Sequence, residues 1–342
     1  MDGHDVDRTV RFDHLAHLTT PTGLFEHALG TEPRPEHGMC VDDVARALVV
    51  TSRTTDPTDA VTDMSATYLR FLRAAQQSDG PMHNRRTTGG EWIDAASSGD
   101  HWGRALWALG TAAAHLPASL ADVALRGAHE AMPARSPHPR AMAYAVLGAV
   151  QLLRVRPQDV AARGLLEDAR AVLPGPGADP DWPWPYPRLT YANAVLPEAM
   201  IAAGVALLDD RLVGEGLELL GWLVQEQTVG GHLSVVPAGG RGPGAPRPGF
   251  DQQPIEVAAL AEAARTAFLA TGDGRWFSVL ESCVAWFEGA NDTGLPVRDA
   301  VTGGGFDGLM RLGVNQNQGA ESTLAWLSCV QMVQPLPAEA AR

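Results

Sequence analysis

Residues Ser97–His115 read SSGDHWGRALWALGTAAAH. A polar opening with Asp100, His101 and Arg104 runs into a segment that is apolar on nearly every face. Helices of that kind are buried inside a protein rather than laid on its surface. Five other segments follow the same plan, at about Asp42–Thr54, Pro139–Arg154, Asn193–Leu208, Gln253–Thr271 and Gly319–Val333. Between them lie six segments with one apolar stripe and one charged face, as outer helices have. These are at about Arg8–Leu18, Val61–Gln77, Leu120–Ala131, Asp159–Leu173, Asp210–Gln227 and Arg275–Gly289. Alternating outer and inner helices predict an all-α fold, a toroid of six hairpins or (α/α)6 barrel. A right-handed stack of helical repeats is the competing architecture.

One ring consumes the whole chain, so a single domain is expected over residues 8–334, with tails at 1–7 and 335–342. Long Gly/Pro-rich connections join the helices. His232–Val236 reads as a short β hairpin, and Pro237–Pro248 as a flexible loop or lid.

The composition excludes several functions. The chain has 342 residues and a formal charge of -14, and all 26 basic residues are arginine. With no lysine, Schiff-base, pyridoxal-phosphate and P-loop chemistry are ruled out. The acidic balance argues against nucleic-acid and anionic-membrane surfaces. The three cysteines, Cys40, Cys283 and Cys329, are far apart and lack CxxC spacing. They predict reduced thiols in a cytoplasmic protein, with neither a disulfide framework nor a zinc site. No apolar run nears the ~20 residues of a membrane span.

The polar clusters fall at the starts of the inner helices: HGMCVDDVAR (37–46), SSGDHWGRALW (97–107), WPWPYPRLTYAN (182–193), FDQQPIE (250–256) and FDGLMRLGVNQNQGAEST (306–323). In a barrel the inner helices are parallel, so these N-termini line one funnel. Helix N-termini also favour carboxylates. Asp42, Asp100 and Asp251 therefore each have an N-cap reading beside a functional one. Asp42 and Asp43 project about 100° apart on a helix. One is expected to cap while the other faces the funnel. Arg46 is spaced to hold either carboxylate, and Arg104 is spaced to pair with Asp100. Trp102, Trp184 and Tyr191 suit stacking on a sugar ring, or packing. Asn193, Gln252, Gln253, Asn315 and Gln318 match vicinal hydroxyls, or satisfy loop backbone. Glu321 lies one turn into the last inner helix as a further inward carboxylate. His37, His101 and Asp307 complete the clusters. HExxH, GxSxG and GxGxxG motifs are absent.

As a set, GLFEHALGTEPRPEHGMCVDDVARAL, SSGDHWGRALWALG, WPW…LTYANAVLPEAM, FDQQPIE and GGGFDGL…VNQNQGAEST resemble a bacterial family of six-hairpin, glycosidase-like proteins. The resemblance runs from about Phe12 to Cys329. Members often carry a glycosyltransferase label or occur beside glycosyltransferases, so it implies a carbohydrate substrate and a glycosyltransferase as a possible partner. The chain departs from the family pattern at Val44, where DDNARAL has asparagine. It departs also at Gly99, at Ala192 and at Tyr186–Pro187, where acidic residues are expected.

The combined expectation is a glycoside hydrolase acting through a carboxylate pair. Asp43 and Asp100 are the acid/base candidates, and Glu321 is the reserve. No metal and no cofactor are expected. Three alternatives remain: a noncatalytic sugar-binding partner of a glycosyltransferase, a sugar epimerase using an inward histidine pair (His37 and His101), and a terpene cyclase. The last is disfavoured because CVDD at 40–43 lacks the leading aspartate of a DxDD acid and no DDxxD metal site is present.

Overall fold

The computed structural model describes residues 10–334. The expected tails, and the start of the first outer segment at Arg8–Thr9, lie outside the described residues. Twelve α-helices form among the described residues. The inner set is α2 (Val41–Ser52), α4 (Asp100–His115), α6 (Pro139–Val155), α8 (Val195–Leu207), α10 (Pro254–Thr271) and α12 (Ala320–Val333). The outer set is α1 (Asp13–Leu18), α3 (Asp59–Ala75), α5 (Ala118–Ala131), α7 (Val160–Ala169), α9 (Asp210–Glu226) and α11 (Gly274–Phe287). Each inner helix packs on the next, and α12 packs on α2 and closes the ring. Closure decides for the barrel over an open stack of repeats.

Glycines set how closely α4 and α6 approach. A Cβ on Gly103 would stand 2.1 Å from the Ala141 carbonyl oxygen, and one on Gly148 would stand 2.1 Å from that of Leu106. Gly110, two turns after Gly103, faces the Gly148 carbonyl in the same way. Any side chain at these positions would push the two inner helices apart.

The two sets of helices start differently. On α3, α7, α9 and α11, a side chain caps the first turn: Thr58, Asp159, Asp209 and Asp273 each accept from a first-turn amide. None of the six inner helices has a side-chain cap. The N-cap reading of Asp42, Asp100 and Asp251 therefore fails. The capping positions are held by Cys40, Gly99 and Gln253. Asp42 and Asp100 stand inside the first turn, where their carboxyl groups project beyond the backbone.

The strands are two- and three-residue ribbons in the connections. Thr228–Val229 pairs with His232–Leu233, as the hairpin reading expected. The loop that follows is pinned rather than free over part of its length. Arg241 is 1% exposed, and its guanidinium donates to the carbonyls of Glu226, Ser234 and Val235. No helix among the described residues is long and apolar enough to cross a membrane.

Candidate active site

The N-terminal ends of the inner helices surround a cavity of about 490 Å³. Asp42, Asp43 and Arg46 reach it from α2, Arg104 from α4, and Glu321 and Ser322 from α12. Connecting segments add Glu26, His27, Cys40, Arg85, Tyr191, Gln253, Asp307 and Asn315. Five carboxyl groups and three guanidinium groups thus share one cavity.

Asp42 and Asp43 both line it, contrary to the expectation that only one would. The cavity extends to both sides of the α2 N-terminus, so residues about 100° apart can each reach it. Asp42 turns toward α4 and accepts hydrogen bonds from Arg104 and from Asn84 Nδ2, the latter at 3.0 Å. Asp43 turns toward α12. It accepts from Arg46 Nη1 at 2.6 Å and from the Cys40 thiol at 3.2 Å. The other arm of Arg46 reaches Glu321 at 2.9 Å.

These surroundings push the two carboxyl groups in opposite directions. Burial favours the protonated form of both. For Asp42 the Arg104 and Arg46 charges outweigh burial and hold the carboxyl below the usual range. For Asp43, burial dominates over Arg46, and the nearby Glu321 and Glu26 charges add to it. Its pKa rises to about 6. Burial also raises Glu26, against its Arg85 partner, and raises Asp307, whose Oδ1 accepts from the Gly319 amide at 2.9 Å.

A ligand atom each from Glu26, Cys40 and Asp43 lie within 4.8 Å of one another, a spacing that could also hold a metal ion. Burial, with Asp43 and Glu26 beside it, pushes the Cys40 thiol well up.

Asp100 does not line the cavity. It accepts the Tyr191 hydroxyl hydrogen and lies 3.9 Å from Arg140. Tyr191 carries the influence of Asp100 to the cavity wall, with Arg140 4.1 Å over its ring. Arg104 does not pair with Asp100 either, although the helical spacing allowed it. It is buried, and it spans to Asp42 on the neighbouring helix and to the Tyr144 hydroxyl at 3.3 Å.

Several other expected site residues turn away from the cavity. Trp102 is fully buried, and its indole N–H donates to the Ala131 carbonyl. Trp184 is buried and stacks on Trp222. The Trp-Pro-Trp stretch therefore packs against α9, and only Tyr191 of that cluster reaches the cavity. His101 is bound to the Met82 carbonyl oxygen. Gln252 is fully buried and joins Asp292, Gly249 and Trp286. Gln318 joins Thr302 and Asp299, and Asp251 lies exposed in its loop. These amides satisfy loop groups because the long connections have few regular backbone partners. His37 is exposed and does not line the cavity, and its ring lies 5.0 Å from that of His27, which does.

Asn193 is buried and donates to Glu256 Oε2 at 2.8 Å. Burial raises the Glu256 carboxyl to about 7. The family departures at Val44 and Ala192 fall on buried positions that do not line the cavity.

Sequence reasoning missed Glu26, His27, Cys40 and Arg85. Glu26 and His27 precede the first inner helix and Arg85 follows the next outer one. No local pattern marks them as inward-facing.

No protein-family model and no curated protein matches the sequence. Solved structures do match. A sugar epimerase from a ruminal bacterium superposes with a TM-score of 0.68 at 12% identity, over 94% of each chain. A D-mannose isomerase gives 0.69 at 11% identity, over 96% of this chain and 95% of the other. The GH family 9 endoglucanase J30 gives 0.62 at 12% identity, over 92% and 74%. The link to a glycosyltransferase gains no support from these likenesses. At such identities they establish the fold, an (α/α)6 barrel.

Proposed function

We propose that the chain is a carbohydrate-active enzyme, a glycoside hydrolase in which Asp43 and Asp42 divide acid and base work. The observation that carries this reading is that two adjacent carboxyl groups line one cavity with different partners, Asp42 on Arg104 and Asp43 on Arg46 and the Cys40 thiol, surroundings that drive them in opposite directions. Such pairs assign their own roles. Asp43, raised to about 6, holds a proton for the leaving oxygen. Asp42, held ionised by Arg104, supports positive charge at the anomeric carbon or takes a proton from water. Glu321 and Arg46 fix the charge around Asp43. Tyr191, with Asp100 behind it, and Gln253, Asp307 and Asn315 bind hydroxyls. The structural neighbours include epimerases, an isomerase and an endoglucanase, and sugar chemistry is what those proteins share.

A second reading, a sugar epimerase, is favoured by one observation: His27 lines the cavity with His37 5.0 Å away. This pair replaces the His37–His101 pair expected from the sequence.

The test is to incubate the protein in D2O with aryl glycosides and a panel of oligosaccharides. Hydrolysis is expected, with Asp43→Asn lowering kcat by roughly 10²–10⁴ and the fold retained. Deuterium entering an uncleaved sugar supports the epimerase instead. Saturable sugar binding without turnover, unchanged by Asp43→Asn, overturns both enzyme readings.

A further inference from the structure

The inward stripe of the inner helices has three layers along the barrel axis. On α2 it runs from Asp43 and Arg46 to Val49 and Val50, and then to Arg53. On α12 it runs from Glu321 to Leu324 and Ala325, and then to Ser328. Residues three and four apart lie on one face of a helix. Because the inner helices are parallel, the middle residues form an apolar ring directly below the candidate active site. The throat inside that ring has a volume of about 50 Å³. Arg46 and Glu321 border both the throat and the cavity above it. Trp107, Leu147, Glu198 and Glu262 border both the throat and a further cavity of about 370 Å³ at the other end of the barrel.

Small residues on α10 keep the throat open. Ala258 and Ala259 line it and retain exposed surface, whereas Val257, Leu260 and Ala261 beside them are fully buried. Val49, Ile255 and Leu324 complete the wall. Walls of this kind give water few of the polar partners it needs. The layer beneath is self-contained. Arg53 donates to Glu262 at 2.6 and 2.8 Å, and the Ser328 hydroxyl donates to the same carboxylate at 2.5 Å.

The dimensions select an occupant. Arg46 and Arg53 are two turns apart on α2, a descent of about 10 Å along the axis. A space of about 50 Å³ takes a few water-sized groups in file. That suits a short unbranched hydrocarbon chain. A sugar ring is wider, and its hydroxyls would lose their hydrogen bonds against these walls. Asp43, the carboxyl assigned to the leaving oxygen, is held by Arg46 at the mouth of the throat. The leaving group is therefore the part of the substrate that faces the throat.

We propose that the throat is an aglycone subsite and that the substrate is a glycoside of an unbranched apolar alcohol. The inference rests on the glycoside hydrolase reading above and adds the chemical class of the leaving group. The sugar occupies the upper cavity among its carboxyl and guanidinium groups. The alkyl chain passes Arg46 and Glu321 and lies against Val49, Ala258, Ala259 and Leu324. Each buried methylene strengthens binding by about fourfold, until the chain meets the Arg53–Glu262 layer.

The experiment is calorimetric titration of the full chain with methyl, butyl and hexyl thioglycosides of glucose, galactose and mannose, which resist hydrolysis. For at least one sugar, the butyl compound is expected to bind roughly tenfold or more tightly than its methyl parent. Ala258→Leu places a larger side chain in the throat and is expected to remove that gain, with the affinity for the methyl compound held. Ala259→Leu repeats the test if the first variant does not fold. The proposal is overturned if butyl and methyl compounds bind alike or if none of the panel binds. It also fails if the gain survives both substitutions, which would place the chain elsewhere. Turnover of the matching oxygen glycosides separates the two readings. Binding that grows with chain length but without turnover keeps the subsite and removes the hydrolase. Turnover indifferent to chain length keeps the hydrolase and removes the subsite.

Discussion

Arg46 Nη1 lies 2.6 Å from Asp43 Oδ1, one turn back on the same helix, while its other arm reaches Glu321 on α12. One guanidinium thus ties the first inner helix to the last, where the ring closes. Arg46→Met leaves Asp43 buried without its counter-charge. Thermal unfolding is expected to show a loss on the order of 2–3 kcal/mol, below that of a fully buried pair because Glu321 is partly exposed. An unchanged melting temperature would mean the tie is dispensable.

The pH profile of the proposed reaction follows from the same residues. Asp43 must be protonated to act as acid, so kcat/KM falls as pH rises through about 6. Asp42 must be ionised, so the acid limb lies below the ordinary carboxylate range. Removing Arg46 takes away a charge that holds Asp43 down, and the basic limb moves to higher pH. A basic limb that stays put in Arg46→Met assigns the acid to another group.

Glu256 makes a stability prediction. Its folded pKa of about 7 stands above the ordinary 4.5. The folded state therefore holds a proton that the unfolded chain releases in that window. Its contribution is full below about pH 4.5 and is lost as pH rises through about 7, a change of about 3 kcal/mol at most. Glu256→Gln keeps an acceptor for Asn193 and removes the titration. Chemical denaturation across this range is expected to give a flatter pH dependence in the variant.

Tyr191 and Trp184 come from one aromatic cluster and have separate jobs. Tyr191→Phe removes the hydroxyl that bonds Asp100 and is expected to raise KM several-fold, with a stability change of about 1 kcal/mol. Trp184→Ala empties a buried site against Trp222 and is expected to cost roughly 3–5 kcal/mol, with KM little altered in the protein that folds. Kinetics and melting curves on both variants separate the roles. Equal effects on KM would contradict the packing of Trp184.

Gly148→Ala tests the close approach of α4 and α6. The new methyl would stand 2.1 Å from a backbone carbonyl oxygen, which no rotamer change can relieve. A loss of at least ~1–3 kcal/mol is expected. Gly164, with nothing near its Cβ position, provides the control: Gly164→Ala on the surface of α7 should be neutral or stabilising.

The helices were legible because their signal is periodic and local. Ala105–Ala114 is apolar on every face and reads as an inner helix without help from the rest of the chain. The funnel was legible in outline too, since parallel inner helices bring Asp43, Arg46 and Glu321 to one end. Which members of each cluster face inward was not. Trp102 and Tyr191 look equivalent as aromatic neighbours of a polar loop, yet one is core and the other cavity wall.

The sequence by itself determined the twelve helices, their alternation and the end of the barrel that collects the polar residues. These follow from hydrophobic period and helix direction. Only the tertiary structure decided the partners: Arg104 with Asp42 rather than Asp100, and Asp100 with Tyr191. It also decided that Asp43 is raised and Asp42 lowered, although the two are adjacent. The pairing of long side chains and the burial of a carboxyl depend on what neighbouring helices bring to the same point. Sequence separations of 62 and 91 residues carry no record of that meeting.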